Sequence, residues 1–361
     1  MKAAVLRAPR TPLQIEDVQI DKPGPHEVLL RTVAAGICHS DLHIINGTHA
    51  HPLPTVLGHE SAGIVEAVGS EVKAVKPGDH VITCLSAFCG HCGHCVTGRM
   101  NLCVSPDTKR SEGDAPRLAQ GGVGMAQFWN LSSYAEQMLI HEHACVAVRR
   151  DMPLDRAALI GCGVMTGLGA VTNTSQVRPG ETVAVIGCGG VGLAAVNGAA
   201  IAGASRIIAV DLTRSKEDLA KAFGATDFIC AADGNLVEQV IELTDGGVQH
   251  SFEAIGLASA AEQAFGMLCR GGVANVIGMI PEKHKIQISG RALLGERRIQ
   301  GSLMGSNRFP VDMPRLVDFY MSGKLKLDEM ISRRIRLEQI NEGFEEMKRG
   351  EIARSVIVFD T

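Results

Sequence analysis

With 361 residues, 45% of them apolar, and a formal charge of -4, the chain is long enough for two domains with separate cores and too apolar for extended disorder. Its acidic and basic residues are interspersed without a basic stripe, which argues against a nucleic-acid partner. Eleven cysteines indicate a reducing cytoplasm, where thiols are not consumed by disulfide formation, and the opening MKAAVLRAPR carries no apolar signal core.

In chain order, the first 160 residues alternate short apolar runs, such as Val28-Leu29-Leu30 and Ala62-Gly63-Ile64-Val65, with Gly and Pro punctuation. This is the pattern of a β-rich domain with long loops. Within it, Cys89, Cys92, Cys95 and Cys103 fall in the run CGHCGHCVTGRMNLC. Such spacing lets one short lobe, about residues 84–108, wrap four thiolates around a tetrahedral ion, a closed structural zinc site. His91 and His94 inside the run read as spacers.

After Arg178-Pro179-Gly180 the texture changes. The strand Thr182–Ile186 leads into a Gly turn and an Ala-rich helix from Gly192 to Gly203; a second strand, Arg206–Val210, precedes a charged helix ending at Phe223. Residues 183–204 are apolar enough to raise a membrane helix as a rival, but Gly187, Gly189, Gly190 and Gly192 interrupt them where a turn belongs, so no membrane partner is expected. Alternating strands and helices continue to about residue 303, which predicts a doubly wound parallel sheet. An amphipathic helix, Leu337 to Arg349, and a closing strand, Ser355 to Phe359, complete the chain.

Gly187-Cys188-Gly189-Gly190-Val191-Gly192 fits the G-x-G-x-x-G pattern directly after a strand and at the start of a helix. Glycines there allow close approach to a pyrophosphate, whose charge the helix N-terminus favours. Asp211, nineteen residues after the last Gly, would accept the adenosine ribose hydroxyls and repel a 2′-phosphate, so NAD is expected rather than NADP. Arg214 is the one nearby group that would soften that preference.

Three further segments, Gly36-Ile37-Cys38-His39-Ser40-Asp41-Leu42-His43, Gly58-His59-Glu60 and Gly161-Cys162-Gly163, together with the lobe and the Gly turn, resemble the zinc-dependent alcohol dehydrogenases of the medium-chain superfamily. The resemblance runs from the first strand to the last. It implies an α/β architecture: a GroES-like β-rich catalytic domain over 1–163 and 304–361, and a Rossmann NAD-binding domain over 164–303. It further implies that Cys38, His59 and Cys162 hold a catalytic zinc with a fourth position open to water or alcohol, giving two Zn2+ per chain. Asp41 matches the carboxylate that orients His59, and Glu60 an acid near the metal. Ser40 resembles the proton acceptor beside the alcohol, and His43 the group that releases the proton to solvent. Thr166 and Val191 match positions against the nicotinamide, Lys216 an adenosine-ribose contact, and His39 and Arg354 pyrophosphate contacts.

Cys103 and Cys162 lie 59 positions apart, which resembles the long, typically dimeric branch of the family and implies a homodimer. One subset of that branch oxidises the glutathione adduct of formaldehyde with acidic residues in the loop before the His ligand. Here that loop is Asn46-Gly47-Thr48-His49-Ala50-His51-Pro52, and Asp107 stands where the subset carries Arg, so primary aliphatic or aromatic alcohols and aldehydes are the expected substrates. Leu85, Phe128, Trp129 and Met279 are expected to line the substrate and nicotinamide cleft. A polyol dehydrogenase commonly replaces the third zinc ligand, and a non-catalytic relative would lose the open site; retention of Cys38, His59, Cys162, Ser40 and His43 argues against both.

Overall fold

The computed structural model describes residues 1–111, 113–350 and 353–360. Its contacts divide the chain into one unit of Met1–Cys162, Arg308–Ser322 and Met330–Thr361, and another of Gly163–Asn307 and Gly323–Glu329. The second unit thus reaches beyond residue 303 and takes back a short segment of the chain's end. Asn197 gives one reason: its amide donates to the Lys324 carbonyl at 3.3 Å and accepts from the Lys326 N–H at 3.0 Å, pinning that segment to the helix Gly190–Ala202.

The first unit is built on the ten-residue strand Glu27–Gly36. Antiparallel partners flank it, Ser61–Val68, Gln137–His141 and Arg354–Val358, and Ile331–Ile335 adds to the last of these in parallel. Alternate residues Val28 and Leu30 enter a core with Val65, Val81, Met138 and Ile140, as period-two burial requires. A second core packs Ala35, Ile37 and Leu57 against Phe344 and Met347 of the helix Ile340–Arg349.

The second unit holds a six-stranded, wholly parallel sheet. Numbered along the chain from Thr182–Ile186, its spatial order is 3-2-1-4-5-6, that of a Rossmann fold. Helix Gly190–Ala202 is apolar all round and buried along most of its length, which explains the membrane-like composition of 183–204.

Two helices longer than a single turn depart from the β-rich reading of the first 160 residues. One is His39–Ile45; the other is a helical run from Leu154 to Ser175. Among the described residues this run alone is long and apolar enough to cross a membrane, and 89% of its apolar window is buried, the mark of a core helix. Its glycines disfavour helix locally, and burial overrides that propensity.

Glu27, 5% exposed at the start of its strand, lies between two guanidinium groups. Arg110 Nη2 donates to Oε2 at 2.6 Å, Arg117 Nε to Oε1 at 2.7 Å and the Gly24 N–H to Oε2 at 2.8 Å. Burial alone would raise this carboxyl; Arg110, Gly24 and Arg117 together hold it down at about 2 instead of 4.5. Its contribution is therefore complete above pH 4.5 and lost as pH falls toward 2. Glu27→Gln is expected to cost about 3 kcal/mol at pH 7 and to flatten the acid loss of stability between those limits. Urea unfolding across pH measures both, and identical curves for the two proteins would contradict the assignment.

Candidate active site

Cys38 occupies the N-cap of helix His39–Ile45 in an extended conformation and makes no capping hydrogen bond with its side chain. A helix N-terminus favours the thiolate at this position. His59 follows Gly58, whose φ of 94° is left-handed, and precedes the strand Ser61–Val68. Cys162 lies in a π-helical turn, Ile160–Val164, within the run Leu154–Ser175. The chain thereby brings Cys38, His59 and Cys162 together from three elements, with ligand atoms within 4.8 Å of one another and exposures of 5%, 0% and 6%.

Asp41, fully buried one turn into the helix, anchors this group. Its Oδ1 accepts from the Gly58 N–H at 2.9 Å and its Oδ2 from the Tyr134 hydroxyl at 2.9 Å. The same Oδ2 lies 3.2 Å from His59 Nδ1, an ion-pair distance with poor hydrogen-bond alignment. His59 Nε2 is buried without a hydrogen-bond partner. Burial pushes His59 down, yet the negative charges of Asp41 and Cys38 carry it well above its ordinary value. A bond from Cys162, with help from His59, holds the Cys38 thiol well below the ordinary range. Two thiols and an orphaned imidazole nitrogen, buried and negatively biased, fit a divalent soft-to-borderline cation with three protein donors.

Glu60 and Arg354 are buried beside these donors, at 0% and 4% exposure. Arg354 Nη1 donates to the Ile37 carbonyl at 3.1 Å and lies 3.8 Å from Glu60 Oε2. Although burial opposes its charge, Glu60 and the two thiols hold Arg354 above its ordinary value. Gly36 has a packing reason: a Cβ there would meet Glu60 Cδ at 3.0 Å. Ser40 Oγ lies 3.8 Å from Cys38 Sγ, and His43 comes one turn later on the same helix. Burial, reinforced by His49, lowers the His43 imidazole below its ordinary value.

In the cysteine lobe, Sγ atoms lie 3.9 Å apart for Cys89 and Cys95, 3.5 Å for Cys92 and Cys95, and 3.9 Å for Cys92 and Cys103. A tetrahedron with metal–sulfur bonds of ~2.3 Å has edges of about 3.8 Å, so the four thiols are placed as a zinc shell. The Cys92 N–H donates to Cys89 Sγ and the Cys89 N–H to Cys103 Sγ, each at 3.3 Å. His91 pairs with Asp107 at 2.7 Å, outside the four-thiol shell.

In the Rossmann unit, Gly187 has φ 102°, and a Cβ on Gly192 would lie 1.7 Å from the Gly187 carbonyl oxygen. Gly189 caps the helix that Gly190 opens, with Val191 half-buried behind it. Asp211 ends its strand with Oδ2 accepting from the Cys188 N–H of the turn at 2.8 Å and lying 3.3 Å from Lys216 Nζ. Thr166 is buried with its Oγ1 3.4 Å from Met304 Sδ, whereas Met279 is 37% exposed and His39 is exposed.

Of the residues expected around a substrate, Trp129 is half-buried with its ring 4.9 Å from that of His59. Leu85 is half-buried against the Val28 core. Phe128 is fully buried; it is a core residue behind Trp129, with ring centroids 4.3 Å apart, rather than an open wall. Tyr134, 93 positions from Asp41, is the functional residue that local sequence motifs do not disclose.

Coupling a three-donor metal site to a dinucleotide sheet defines the class of metal-dependent, dinucleotide-linked oxidoreductases. Residues 24–150 match the alcohol dehydrogenase GroES-like domain, and residues 190–321 the zinc-binding dehydrogenase domain. A probable S-(hydroxymethyl)glutathione dehydrogenase 1 of Schizosaccharomyces pombe is 39% identical, over 99% of this chain and 96% of its own length. Among solved structures, benzyl alcohol dehydrogenase from Acinetobacter calcoaceticus is 33% identical with a TM-score of 0.94, covering 99% of both chains. An alcohol dehydrogenase zinc-binding domain protein from Burkholderia ambifaria is 35% identical with a TM-score of 0.95, covering 100% of this chain and 99% of its own. The chain belongs to the zinc-dependent alcohol dehydrogenases of the medium-chain superfamily, enzymes whose cofactors are zinc and a nicotinamide dinucleotide.

Tyr134→Phe removes one of the donors that fix Asp41. It is expected to cost about 1–3 kcal/mol and to weaken zinc retention about tenfold or more. Thermal melting and chelator competition measure the two effects; unchanged retention would show that Asp41 needs no such anchor.

Proposed function

We propose that the enzyme interconverts primary aliphatic or aromatic alcohols and aldehydes with NAD at the Cys38, His59 and Cys162 site. The observation that carries this reading is the buried three-donor cluster with its Asp41 anchor, beside Ser40 and His43. The metal supplies Lewis acidity there and the dinucleotide the redox couple. Cys38, Cys162 and His59 Nε2 are the donors, and Asp41 fixes the orientation of the His59 ring. Ser40 accepts the substrate's proton, and His43, kept neutral near pH 7 by burial, passes it on to solvent. Glu60, balanced by Arg354, supplies a carboxylate beside the donors for ligand exchange. Cys89, Cys92, Cys95 and Cys103 hold the second zinc as a structural ion.

Within the Rossmann unit, Gly187, Gly189, Gly190 and Gly192 receive the pyrophosphate, and Asp211 with Lys216 receives the adenosine ribose. Thr166, Val191 and Met279 are assigned to the nicotinamide, and His39 and Arg354 to the pyrophosphate, as the family resemblance implies. We read the assembly as a homodimer in a reducing cytoplasm. Strand Arg298–Gly301 ends the parallel sheet as an open edge, with Leu293, Leu294 and Leu303 at 45%, 84% and 55% exposure nearby in the chain.

A second reading, oxidation of the glutathione adduct of formaldehyde, draws on the Schizosaccharomyces pombe relative's name. Against it stand His49 and His51 in place of acids, and Asp107 engaged with His91. Turnover of S-(hydroxymethyl)glutathione faster than of benzyl alcohol would favour it.

Metal analysis is expected to give about two zinc ions per chain, with one lost in either Cys38→Ser or Cys95→Ser. Only the first should abolish alcohol oxidation while leaving the melting temperature close to wild type; one zinc in the unaltered protein would sink the catalytic assignment. Asp211→Asn is expected to shrink the preference for NAD over NADP about tenfold, read from kcat/KM with each cofactor. An unchanged ratio would remove Asp211 from cofactor choice.

A further inference from the structure

An ion held by Cys89, Cys92, Cys95 and Cys103 is enclosed by sulfur on all four sides, and Cys95 is only 9% exposed. Such a site needs a way in as well as a shell. Beside the shell lies a second set of donors: the ligand atoms of Cys89, His91 and Asp107 fall within 4.8 Å of one another. Cys89 belongs to both sets. His91 and Asp107 stand outside the shell, with side chains 71% and 50% exposed.

Thiolate sulfur, imidazole nitrogen and carboxylate oxygen are the three donor types that zinc accepts. Bonds of ~2.0–2.3 Å put tetrahedral donors about 3.3–3.8 Å apart, so this set closes on an ion once the 2.7 Å contact between His91 and Asp107 opens slightly. Two exposed side chains can make that movement. Their backbones are fixed: the Cys92 N–H, directly after His91, donates to Cys89 Sγ, and Asp107 stands in the turn Pro106–Thr108, where its N–H donates to Ser105 Oγ at 3.3 Å. Behind that turn the Thr108 carbonyl accepts from Arg117 Nη2 at 3.0 Å, and Arg117 binds the buried Glu27. An exposed ion pair contributes little to stability, so its position against a shell thiol calls for another account.

We propose that Cys89, His91 and Asp107 form the entry site through which zinc reaches the lobe. The Cys89 sulfur, the His91 imidazole and the Asp107 carboxylate hold the arriving Zn2+ first. In the transfer its bonds to nitrogen and carboxylate oxygen break, bonds to the sulfurs of Cys92, Cys95 and Cys103 form, and the thiol protons pass to solvent. Cys89 keeps its bond throughout, and the ion stays Zn2+. The inference rests on the reading of the lobe as a structural zinc site. Because the entry site is vacated at the end of the transfer, it changes how fast zinc is exchanged and leaves the equilibrium affinity alone.

Exchange of the bound zinc of the loaded enzyme for a heavy zinc isotope, followed by mass spectrometry of the intact folded protein, tests the proposal. The exchange phase that survives in Cys38→Ser belongs to the lobe. His91→Ala with Asp107→Ala is expected to slow that phase about tenfold, while the other phase and the zinc affinity from chelator competition stay as in the wild type. Asp107→Glu, which keeps a carboxylate near the same place, should recover part of the rate. An unchanged or faster lobe phase would overturn the inference, and so would slower exchange matched by an equally tighter affinity, the mark of a pair that acts on equilibrium binding. Full zinc content in Cys95→Ser would instead overturn the reading of the lobe itself.

Discussion

The active site depends on one buried carboxylate. Asp41 receives a backbone N–H from Gly58 and a hydroxyl proton from Tyr134, and it presents its remaining capacity to the ring of His59. A fully desolvated carboxylate is tolerated only when its lone pairs are met, and each partner comes from a different part of the chain. Satisfying Asp41 therefore fixes, in one step, the helix that starts at Cys38, the turn before His59 and the loop bearing Tyr134. The geometry of the donor set is a by-product of satisfying that charge.

The two cysteine sites solve different problems with the same atom. Four thiols in the lobe are close in sequence, three of them partly exposed and Cys95 buried, and backbone N–H groups at 3.3 Å brace Cys89 and Cys103, so they shape a loop. Cys38 and Cys162 are buried and far apart in sequence, and they share their site with Glu60 and Arg354. The bond between them draws the Cys38 thiol down and pushes Cys162 up, the directions expected of two thiols in one buried site. Burial, against bonds from Ser86 at Cys84 and with help from the Glu142 charge at Cys145, pushes these unrelated thiols up to about 12 and leaves them inert.

Local features are legible in the sequence. The lobe is four ligands within fifteen residues, and the Gly turn is flanked by its own strand and helix, so short-range spacing suffices. The hidden features require the third dimension. Helices His39–Ile45 and Leu154–Ser175 lie in stretches whose Gly, Thr and β-branched residues disfavour helix, and only burial makes them form. Phe128 reads as a cleft residue beside Trp129, yet neighbours in a left-handed turn point to different environments, core for one and site for the other. Tyr134 carries no spacing signal at all, because its partner Asp41 sits in another element.

The π-helical turn around Cys162 has a consequence for how this fold diversifies. A π turn carries one residue more than an α turn, so excising a single residue from Ile160–Val164 restores regular winding while leaving the two flanks of the helix close to their present faces. The helix, its apolar packing and the lobe would all survive such an excision. Cys162 would leave His59 and Cys38, and the result would be a folded, cofactor-binding scaffold without chemistry. On the reading of Cys162 as a donor, a single in-frame codon separates this site from a folded chain that lacks it.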